Sequence, residues 1–366
     1  MRLLIVLLAV FTVSSAIDIP NIPLPIPLPI KIPDFPLPLN PTDLNPAKLL
    51  ELFQKFIAEF KKVYLNPILQ SKALSAFSGN VKKIVQLQLA NKGKNVTFGV
   101  NEFSDLTNEE FAAKMLQKTL SFNSSSFART PQKTKFSATD YGSLPASYDW
   151  RTYANVVGPV RNQGSCGCCW AFTTAAIIQS AYGVRNKKLI QPSEQQICDC
   201  GMMDSRPGCN GGNVGVALEY AMQRGISLES AYTAYSPTRA TKANVCDDKN
   251  KPNTIKISEF DYVANTEKDI QTAIYLHGLV GMGFEVGESF RHYKSGVFTN
   301  TDCKSPATFL GCHAVAVAGW GEEKGVRYWI VKNSWGPSYG ESGYIRFQRG
   351  VNLCSIESDE VVYVDT

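Results

Sequence analysis

The chain has 366 residues, of which 44% are hydrophobic and 19% charged, and its formal net charge is +5 at pH 7. This small basic excess contains no dense run of lysine and arginine, so it gives no support to nucleic-acid binding. Ten cysteines, all after residue 165, are typical of a folded unit that is cross-linked by disulfides in an oxidising compartment.

Residues 1–16 predict a secretory signal peptide. One arginine precedes a short apolar run, and small residues precede a cut that we expect after Ala16. The run is too short to cross a bilayer, and no later stretch predicts a membrane span. We therefore expect a protein of the secretory pathway, lysosomal or extracellular, in which Asn95-Val-Thr and Asn123-Ser-Ser are acceptors for N-glycosylation.

Residues 17–46 form a proline-rich segment that holds half of the protein's 20 prolines. Aliphatic residues alternate with proline from Ile22 to Pro29, a pattern that favours extended polyproline II over a packed core. We expect a spacer rather than a recognition tail, because the repeat offers no anchor residue that would identify a partner.

Residues 47–143 are charged and have a helical pattern. Four aromatic residues recur there at helix-like spacing: Phe53, Phe56, Phe60 and Tyr64. The segment Gly99-Val-Asn-Glu-Phe-Ser-Asp105 follows this predicted helix.

The helix predicted to start at Cys169 carries the strongest catalytic signal. Phe172, Ala175 and Gln179 recur at helical spacing. Gly183 predicts the end of the helix. A helix N-terminus has free N–H groups and about half a positive charge, which stabilise a thiolate, and only the thiolate attacks well. Cys169 is therefore the candidate nucleophile.

Three histidines are available as the base for this thiolate: His277, His292 and His313. His313 is the candidate, since it lies in a predicted buried strand that continues into a Gly-Glu-Glu-Lys-Gly turn and a second strand. Such a hairpin can bring Asn333 beside His313. The amide oxygen of Asn333 then accepts the second ring N–H and fixes the orientation of the imidazole.

This set of residues resembles the papain-like cysteine peptidases, the family that includes the lysosomal cathepsins. Cys169 lies in a near copy of the C-G-[SA]-C-[WY] signature, and His313 follows at the expected separation of about 130 to 150 residues. Asn333-Ser-Trp-Gly and Gly208-Cys-Asn-Gly-Gly212 are similar to two further segments of the family. The resemblance covers most of the chain.

The resemblance implies a catalytic role for each matching residue. Gln163 and the backbone N–H of Cys169 would donate to the oxyanion of a tetrahedral intermediate. Cys169 and His313 would form a thiolate–imidazolium pair, with the pKa of the thiol lowered to about 3 to 4 as in papain. Trp335 would shield the hydrogen bond between His313 and Asn333 from water.

The resemblance also implies an α+β fold of two lobes, one helical and one like a β-barrel, with the active cleft between them. Residues 144–366 would be the peptidase domain. Residues 47–143 would be a mainly helical inhibitory propeptide, because Gly99 to Asp105 matches the family's Gly-x-Asn-x-Phe-x-Asp motif. Such a zymogen would bind its own propeptide, cleave protein and peptide substrates, and act as a monomer without a cofactor or metal.

Six cysteines are expected to pair by the same resemblance. The expected disulfides are Cys166 with Cys209, Cys200 with Cys246, and Cys303 with Cys354. Apart from the nucleophile, three cysteines then remain: Cys168, Cys198 and Cys312. Because three is an odd number, at least one of them is unpaired.

The resemblance identifies four substrate contacts. Gly211 and Gly212 would bind the substrate backbone. Asp359 aligns with the residue that closes the pocket for the second side chain before the cut, a place where cathepsin B also has an acid. Facing Val214, it would admit Arg alongside Phe or Leu through a charge-assisted hydrogen bond. No paired-histidine insertion like the occluding loop of cathepsin B is present, so we expect an endopeptidase.

Two alternative functions remain open from the sequence. Cys166-Gly-Cys-Cys169 is also a C-x-x-C pattern, as in thiol–disulfide oxidoreductases, although no βαβ unit precedes it. The chain could also be a catalytically inactive binding protein with the same fold, although every expected catalytic residue is present.

Overall fold

The computed structural model describes residues 35–38, 40–118, 133–137, 140, 142, 144–203, 206, 208–249 and 251–366. The predicted signal peptide, the proline repeat from Ile22 to Pro29 and the acceptor Asn123 lie outside the described residues.

The N-terminal segment, residues 40–118, contains three α-helices whose starts are fixed by side-chain caps. Their bounds are α1 Pro46–Glu59, α2 Pro67–Ala90 and α3 Asn108–Met115. Asn45, Asn66 and Thr107 each accept a bond from the backbone N–H three residues further on. Each cap satisfies a donor that the helix itself leaves free.

Aromatic rings join α1 to α2. Phe56 packs on Phe77 with 4.9 Å between ring centroids, and both side chains are fully buried. The prediction that the four aromatic residues share one helical pattern is wrong at its C-terminal end. Helix α1 ends at Glu59, and the next helix begins at its own Asn-Pro cap. Tyr64 therefore lies in the intervening loop, from which it still stacks on Phe53 at 5.9 Å.

The C-terminal unit, residues 144–366, places most of its helices before most of its strands. The helices are α4 Cys169–Asn186, α5 Glu194–Cys200, α6 Val214–Arg224, α7 Pro237–Ala240 and α8 Glu267–His277. Counted along the whole described chain, the strands are β1 Val96–Phe98, β2 Lys133–Thr134, β3 Tyr148–Asp149, β4 Glu259–Val263, β5 Val280–Gly287, β6 Tyr293–Phe298, β7 Phe309–Glu323, β8 Val326–Lys332, β9 Tyr344–Gln348 and β10 Val362–Asp365. Of the helices described, none has the length and apolar character that a membrane span requires.

The strands form one ten-stranded sheet in the order β1-β6-β9-β8-β7-β5-β10-β4-β2, with β3 paired to β7. Strand β1 belongs to the N-terminal segment and runs antiparallel to β6, with Val96 opposite Gly296. The N-terminal segment is thus hydrogen-bonded into the sheet of the C-terminal unit.

Strands β7 and β8 form the predicted hairpin, with a tighter turn than expected. Pairing continues to Glu323 opposite Val326, so only Lys324 and Gly325 form the turn. Both have positive φ, 50° and 77°, as two-residue hairpin turns of type I′ require. The hairpin places the residue after β8, Asn333, close to the middle of β7.

Helix α4 does not end at Gly183, as the sequence predicted, but continues to Asn186. A Cβ atom at residue 183 would overlap the backbone carbonyl of Asn155, so glycine is required there by close packing. The helix ends instead at Lys187, whose left-handed conformation (φ 55°) forms the C-cap. Gly183 holds α4 against the chain segment that precedes it.

Three disulfides are formed, and they are the three expected pairs: Cys166–Cys209, Cys200–Cys246 and Cys303–Cys354. The first ties the loop before α4 to the loop before α6. Each such bridge typically contributes about 2 to 4 kcal/mol, mainly by restricting the unfolded chain.

Gly183→Ala is expected to lower the unfolding free energy of the full chain by about 1 to 3 kcal/mol, because the new methyl group must displace backbone. Gly79→Ala is the matched control: it lies on an exposed face of α2 with no atom within 4 Å of a new Cβ. Alanine there should raise stability by about 0.5 to 1 kcal/mol. Thermal unfolding of both purified variants tests the pair, and equal destabilisation would contradict the packing account.

Candidate active site

Cys169 is the first residue of α4, and its thiol lies between this helix and strand β7. The sulfur accepts a hydrogen bond from the backbone N–H of Ala314, 3.4 Å away. Cys168, the N-cap, makes no side-chain cap bond, and the backbone N–H of Trp170 in the first turn bonds to the thiol. The thiol is fully buried.

His313 precedes Ala314 on β7 and is oriented by the hairpin partner. Its Nε2 is 2.8 Å from Oδ1 of Asn333, as the hairpin predicted. Its Nδ1 is buried and has no hydrogen-bond partner among the described residues. The indole of Trp335 packs against the imidazole, with 4.7 Å between the ring centroids.

Gln163 reaches the same site with its side-chain amide turned toward the N-terminal segment. Its Nε2 donates to the backbone carbonyls of Met115, at 2.9 Å, and Cys166, at 2.8 Å. Its Oε1 accepts from the hydroxyl of Ser334 at 2.6 Å, which fixes which end of the amide faces the cleft. The donor expected to serve an oxyanion is therefore occupied by a carbonyl of the N-terminal segment.

The two glycines at the entrance to α6 are required by their positions. Gly211 has φ 89°, in the region that favours glycine. A Cβ at Gly212 would overlap the indole of Trp170. The backbone N–H of Gly212 donates to Oε1 of Gln117 at 3.3 Å, so the expected substrate contact is also taken by the N-terminal segment.

Gln117 crosses the cleft directly over the nucleophile. Its backbone pairs with Cys312 in both directions, at 3.0 and 2.8 Å. Its side-chain Oε1 lies 3.9 Å from the sulfur of Cys169. A substrate cannot reach the thiol while this residue is in place.

Burial favours the neutral forms of both the thiol and the imidazole in the full-length chain, whereas the ion pair expected from the family resemblance concerns the enzyme with an open cleft. Burial raises the pKa of the Cys169 thiol to about 12, although hydrogen bonds from the Ala314 and Trp170 backbones act in the opposite direction. Burial likewise lowers the pKa of His313 to about 4. Removal of water from both groups outweighs the stabilisation that the helix terminus offers a thiolate.

Val214 and Asp359 flank one face of strand β5. Gly281 and Gly283 lie on that face, where a Cβ on Gly281 would be 3.4 Å from Val214. The N–H of Gly283 donates to the carbonyl of Asp359 at 3.2 Å. A Cβ on Gly281 would also lie 3.1 Å from Val362 and 3.2 Å from Thr173, so this part of the strand is closely packed. Burial, and then the charge of Glu285, raise the pKa of the Asp359 carboxyl above its usual value.

Aromatic residues of the N-terminal segment cover Trp335. Phe103 and Phe111 meet its indole edge-on at 5.7 and 5.3 Å. Phe103 belongs to the Gly99–Asp105 motif, whose Asn101 also donates to the carbonyl of Arg291 at 2.7 Å. The motif therefore binds the segment beside the candidate site.

The remaining cysteines do not support a disulfide oxidoreductase. Cys166 is paired with Cys209 and cannot act with Cys169 as a C-x-x-C couple. The thiol of Cys168 lies 3.0 Å from the hydroxyl of Tyr235, which donates to the carbonyl of Gln163. Within the described ranges, no group of three or more His, Cys, Asp or Glu residues could hold a metal ion.

Sequence reasoning missed three residues of this site: Gln117, Ser334 and Arg291. Ser334 had a detectable signal, because it follows Asn333 directly in the Asn-Ser-Trp-Gly segment. Gln117 and Arg291 had none, since their positions depend on contacts between distant parts of the chain.

Two family models match the chain. The papain family cysteine protease model matches residues 144–364, and the cathepsin propeptide inhibitor domain model matches residues 53–111. The second match falls within the helical N-terminal segment. The predicted α+β fold with a helical propeptide is confirmed by these matches and by the solved structures that resemble it.

Among curated relatives, bovine pro-cathepsin H (Bos taurus) is 34% identical over 83% of this chain and 87% of its own length. Ananain from Ananas comosus is 33% identical over 85% of this chain and 86% of its own length. Among solved structures, a recombinant stem bromelain precursor has a TM-score of 0.72 at 31% identity, covering 87% of this chain and 99% of that one. A digestive procathepsin L2 from Tenebrio molitor larval midgut has a TM-score of 0.74 at 29% identity, covering 87% of this chain and 100% of that one.

In the full-length chain at neutral pH, Cys169 is expected to react with iodoacetamide far more slowly than after removal of the N-terminal segment, because its thiol is buried and un-ionised. While the N-terminal segment stays docked, His313 should remain neutral down to about pH 4. Mass spectrometry of the Cys169 peptide measures the rate, and Cys169→Ala reveals labelling elsewhere. Equal rates before and after processing would contradict the burial account.

Proposed function

This chain belongs to the papain family of cysteine proteases, and we propose that it is an endopeptidase whose chemistry is carried by Cys169, His313, Asn333 and Gln163. The observation that carries the proposal is the arrangement around β7. The imidazole is bonded through Nε2 to Asn333 at 2.8 Å, its Nδ1 is unpartnered among the described residues, and the thiol is bonded to the next residue along the strand.

The first half of the reaction begins once the cleft is open to water. The thiol transfers its proton to Nδ1 of His313, and the thiolate attacks the carbonyl carbon of the scissile peptide bond. The carbonyl oxygen becomes an oxyanion that accepts bonds from the Gln163 amide and the Cys169 backbone N–H. His313 then returns the proton to the leaving amine, and an acyl-enzyme thioester remains.

Water completes the cycle. His313 takes a proton from a water molecule, which attacks the thioester carbonyl and releases the carboxylic acid with regeneration of the thiol. Asn333 keeps one nitrogen of the imidazole engaged throughout, so that the other stays directed at the reacting atoms. Trp335 excludes water from the bond between Asn333 and His313.

Residues 47–143 act as an inhibitory propeptide. Inhibition uses the catalytic groups themselves: Met115 accepts from Gln163, and Gln117 covers Cys169 and accepts from Gly212. The propeptide thereby fills the oxyanion donor and the backbone contact while it keeps the thiol un-ionised.

Low pH favours release of the propeptide. Burial lowers the pKa of both His292 and His313 below their ordinary value of 6.5. The carbonyl of His292 accepts from propeptide Gly99 at 2.9 Å. A histidine that docking keeps neutral makes docking less favourable as pH falls below about 6.5, because only the released enzyme takes up the proton, and it contributes nothing at higher pH.

The second side chain before the cut is proposed to bind beside Val214 and Asp359, in a pocket that the family resemblance implies. A hydrophobic side chain would pack beside Val214, and an Arg would pair with the Asp359 carboxylate. Because the pKa of that carboxyl is raised, preference for Arg should grow as pH rises through its titration.

Cellular location and assembly follow from the predicted secretory route. We infer a lysosomal or secreted monomer of residues 144–366, released from the signal peptide 1–16, the proline-rich segment 17–46 and the propeptide. Asn95 is the glycosylation acceptor among the described residues, and its side-chain amide also donates to Glu323. A glycan at Asn95 would therefore stand at the boundary between propeptide and enzyme.

The catalytic proposal predicts that full-length chain incubated at acidic pH is processed and then hydrolyses peptide substrates, whereas at neutral pH it stays full length. Cys169→Ala should remain intact and inactive. Gln163→Ala, processed by added wild-type enzyme, should lose about 10² to 10³ in turnover through loss of one oxyanion donor. Equal persistence of the full-length band at both pH values would contradict acid release, and activity in Cys169→Ala would contradict the nucleophile.

The pocket proposal predicts that Asp359→Ala lowers the rate at which Arg-containing peptides are cleaved, relative to Phe-containing peptides, by about five- to ten-fold. Loss of a partly buried ion pair is expected to have an effect of this size. The peptides differ only at the second residue before the cut. Glu259→Ala, an exposed acid on β4, is the charge-matched control. An unchanged Arg-to-Phe ratio in Asp359→Ala would show that this carboxylate faces away from the pocket.

A further inference from the structure

Arg291 is buried in the proenzyme, and every hydrogen bond that the structure gives its guanidinium goes to the propeptide. Nη1 donates to Oδ1 of Asn108 at 2.8 Å. Nη2 donates to the carbonyls of Phe103 and Leu106 at 2.9 and 2.6 Å. Nε is buried with no partner among the described residues, and the cation lies 5.1 Å from the centre of the Phe111 ring.

The propeptide surface that covers Arg291 carries carboxylates, of which Asp105 is paired with Lys62 and Glu110 with Lys72. Its carboxylates Asp105, Glu109 and Glu110 all favour the charged guanidinium, together with Glu288 of the enzyme itself. Burial nevertheless lowers the pKa of Arg291 to about 10. The structure thus shows to which groups this cation donates in the proenzyme: carbonyl and amide oxygens, with carboxylates nearby.

A single aromatic ring, that of Phe111, lies between Arg291 and Trp335, the indole that packs against the catalytic histidine. The Phe111 ring, beneath the guanidinium, meets Trp335 edge-on at 5.3 Å. Phe290, the residue before Arg291, also meets Trp335 at 5.6 Å. Trp335 in turn lies 4.7 Å from His313. Departure of Phe111 therefore opens a path from the imidazole along the indole to the guanidinium.

This path is on the leaving-group side of the cleft. His313 donates its proton to the departing amine, so the chain that follows the cut must extend past the imidazole. The acyl half of the substrate lies on the opposite side, at Gly212 and the pocket of Asp359. A residue soon after the cut would occupy the space that Phe111 fills in the proenzyme.

We propose that Arg291 forms a specificity subsite for an acidic residue at one of the first two positions after the cut. This subsite rests on the proposed endopeptidase function and specifies one class of substrate for it. In the proenzyme the propeptide occupies the subsite; after processing, a substrate carboxylate replaces the lost oxygens and neutralises the cation.

Glu288 of the enzyme competes with a substrate carboxylate for Arg291. In the proenzyme this carboxylate is held by propeptide Lys83, at 2.6 Å, and by Asn108, at 3.2 Å. Processing removes both, so Glu288 becomes available to the guanidinium. Glu288→Gln should therefore increase the preference for an acidic residue, opposite in sign to the effect of replacing Arg291.

The test compares two quenched fluorescent peptides cleaved by the processed enzyme, identical except that Asp-Asp or Asn-Asn follows the cut. Wild type is expected to favour Asp-Asp in kcat/KM by about five-fold, the upper range for a partly exposed pair. Arg291→Gln should bring the ratio to about one, and Arg291→Lys should restore part of it by keeping the charge. Arg327→Gln, an exposed arginine paired with Glu267, is the matched control and should keep the wild-type ratio.

The same ratio in wild type and Arg291→Gln would overturn the proposal. If Arg291→Gln does not fold or is not processed, the wild-type enzyme still tests the proposal. Its Asp-Asp to Asn-Asn ratio of kcat/KM should fall as the salt concentration rises toward about 1 M, where the screening length is about 3 Å. It should also fall below pH of about 4, as the substrate Asp is protonated. A ratio of one in wild type under all conditions would overturn it equally. Failure of the protease function itself would be distinct, because then the Asn-Asn peptide would not be cut either.

Discussion

The inactive state of the proenzyme depends on the exclusion of water from one thiol and one imidazole. The start of α4 and the backbone N–H of Ala314 offer stabilisation to a thiolate at Cys169. Burial under the propeptide overrides both, because transferring a charge out of water costs more than two N–H donors return. The same groups that would promote catalysis in a wet cleft are therefore held neutral in a dry one.

The propeptide achieves this exclusion by becoming part of the enzyme's own fold. Strand β1 extends the sheet at β6, and Gln117 pairs with Cys312 beside the catalytic histidine. Phe103 and Phe111 continue the aromatic cluster around Trp335. In the cleft, the propeptide occupies the Gln163 and Gly212 donors that we propose a substrate uses after processing.

Much of the site could be predicted because its signals are local. A helix start, a hairpin and a Gly-Gly pair each have a sequence pattern, and they correctly brought Cys169, His313 and Asn333 into one place. The predicted end of α4 was wrong, because Gly183 is required by its close contact with Asn155 and does not end the helix. The neutral thiol and imidazole of the full-length chain could not be predicted, because burial by residues far away along the chain has no local pattern.

Spectroscopy of the imidazole tests this account most directly. The chain has three histidines, so labelled rings can be assigned by NMR with single His-to-Asn variants. In the full-length chain we predict that His313 remains neutral until pH falls to about 4. In the processed enzyme its pKa should rise well above 6.5 because a thiolate lies beside it, and this rise should vanish in Cys169→Ala. A His313 that titrates identically before and after processing would contradict the account.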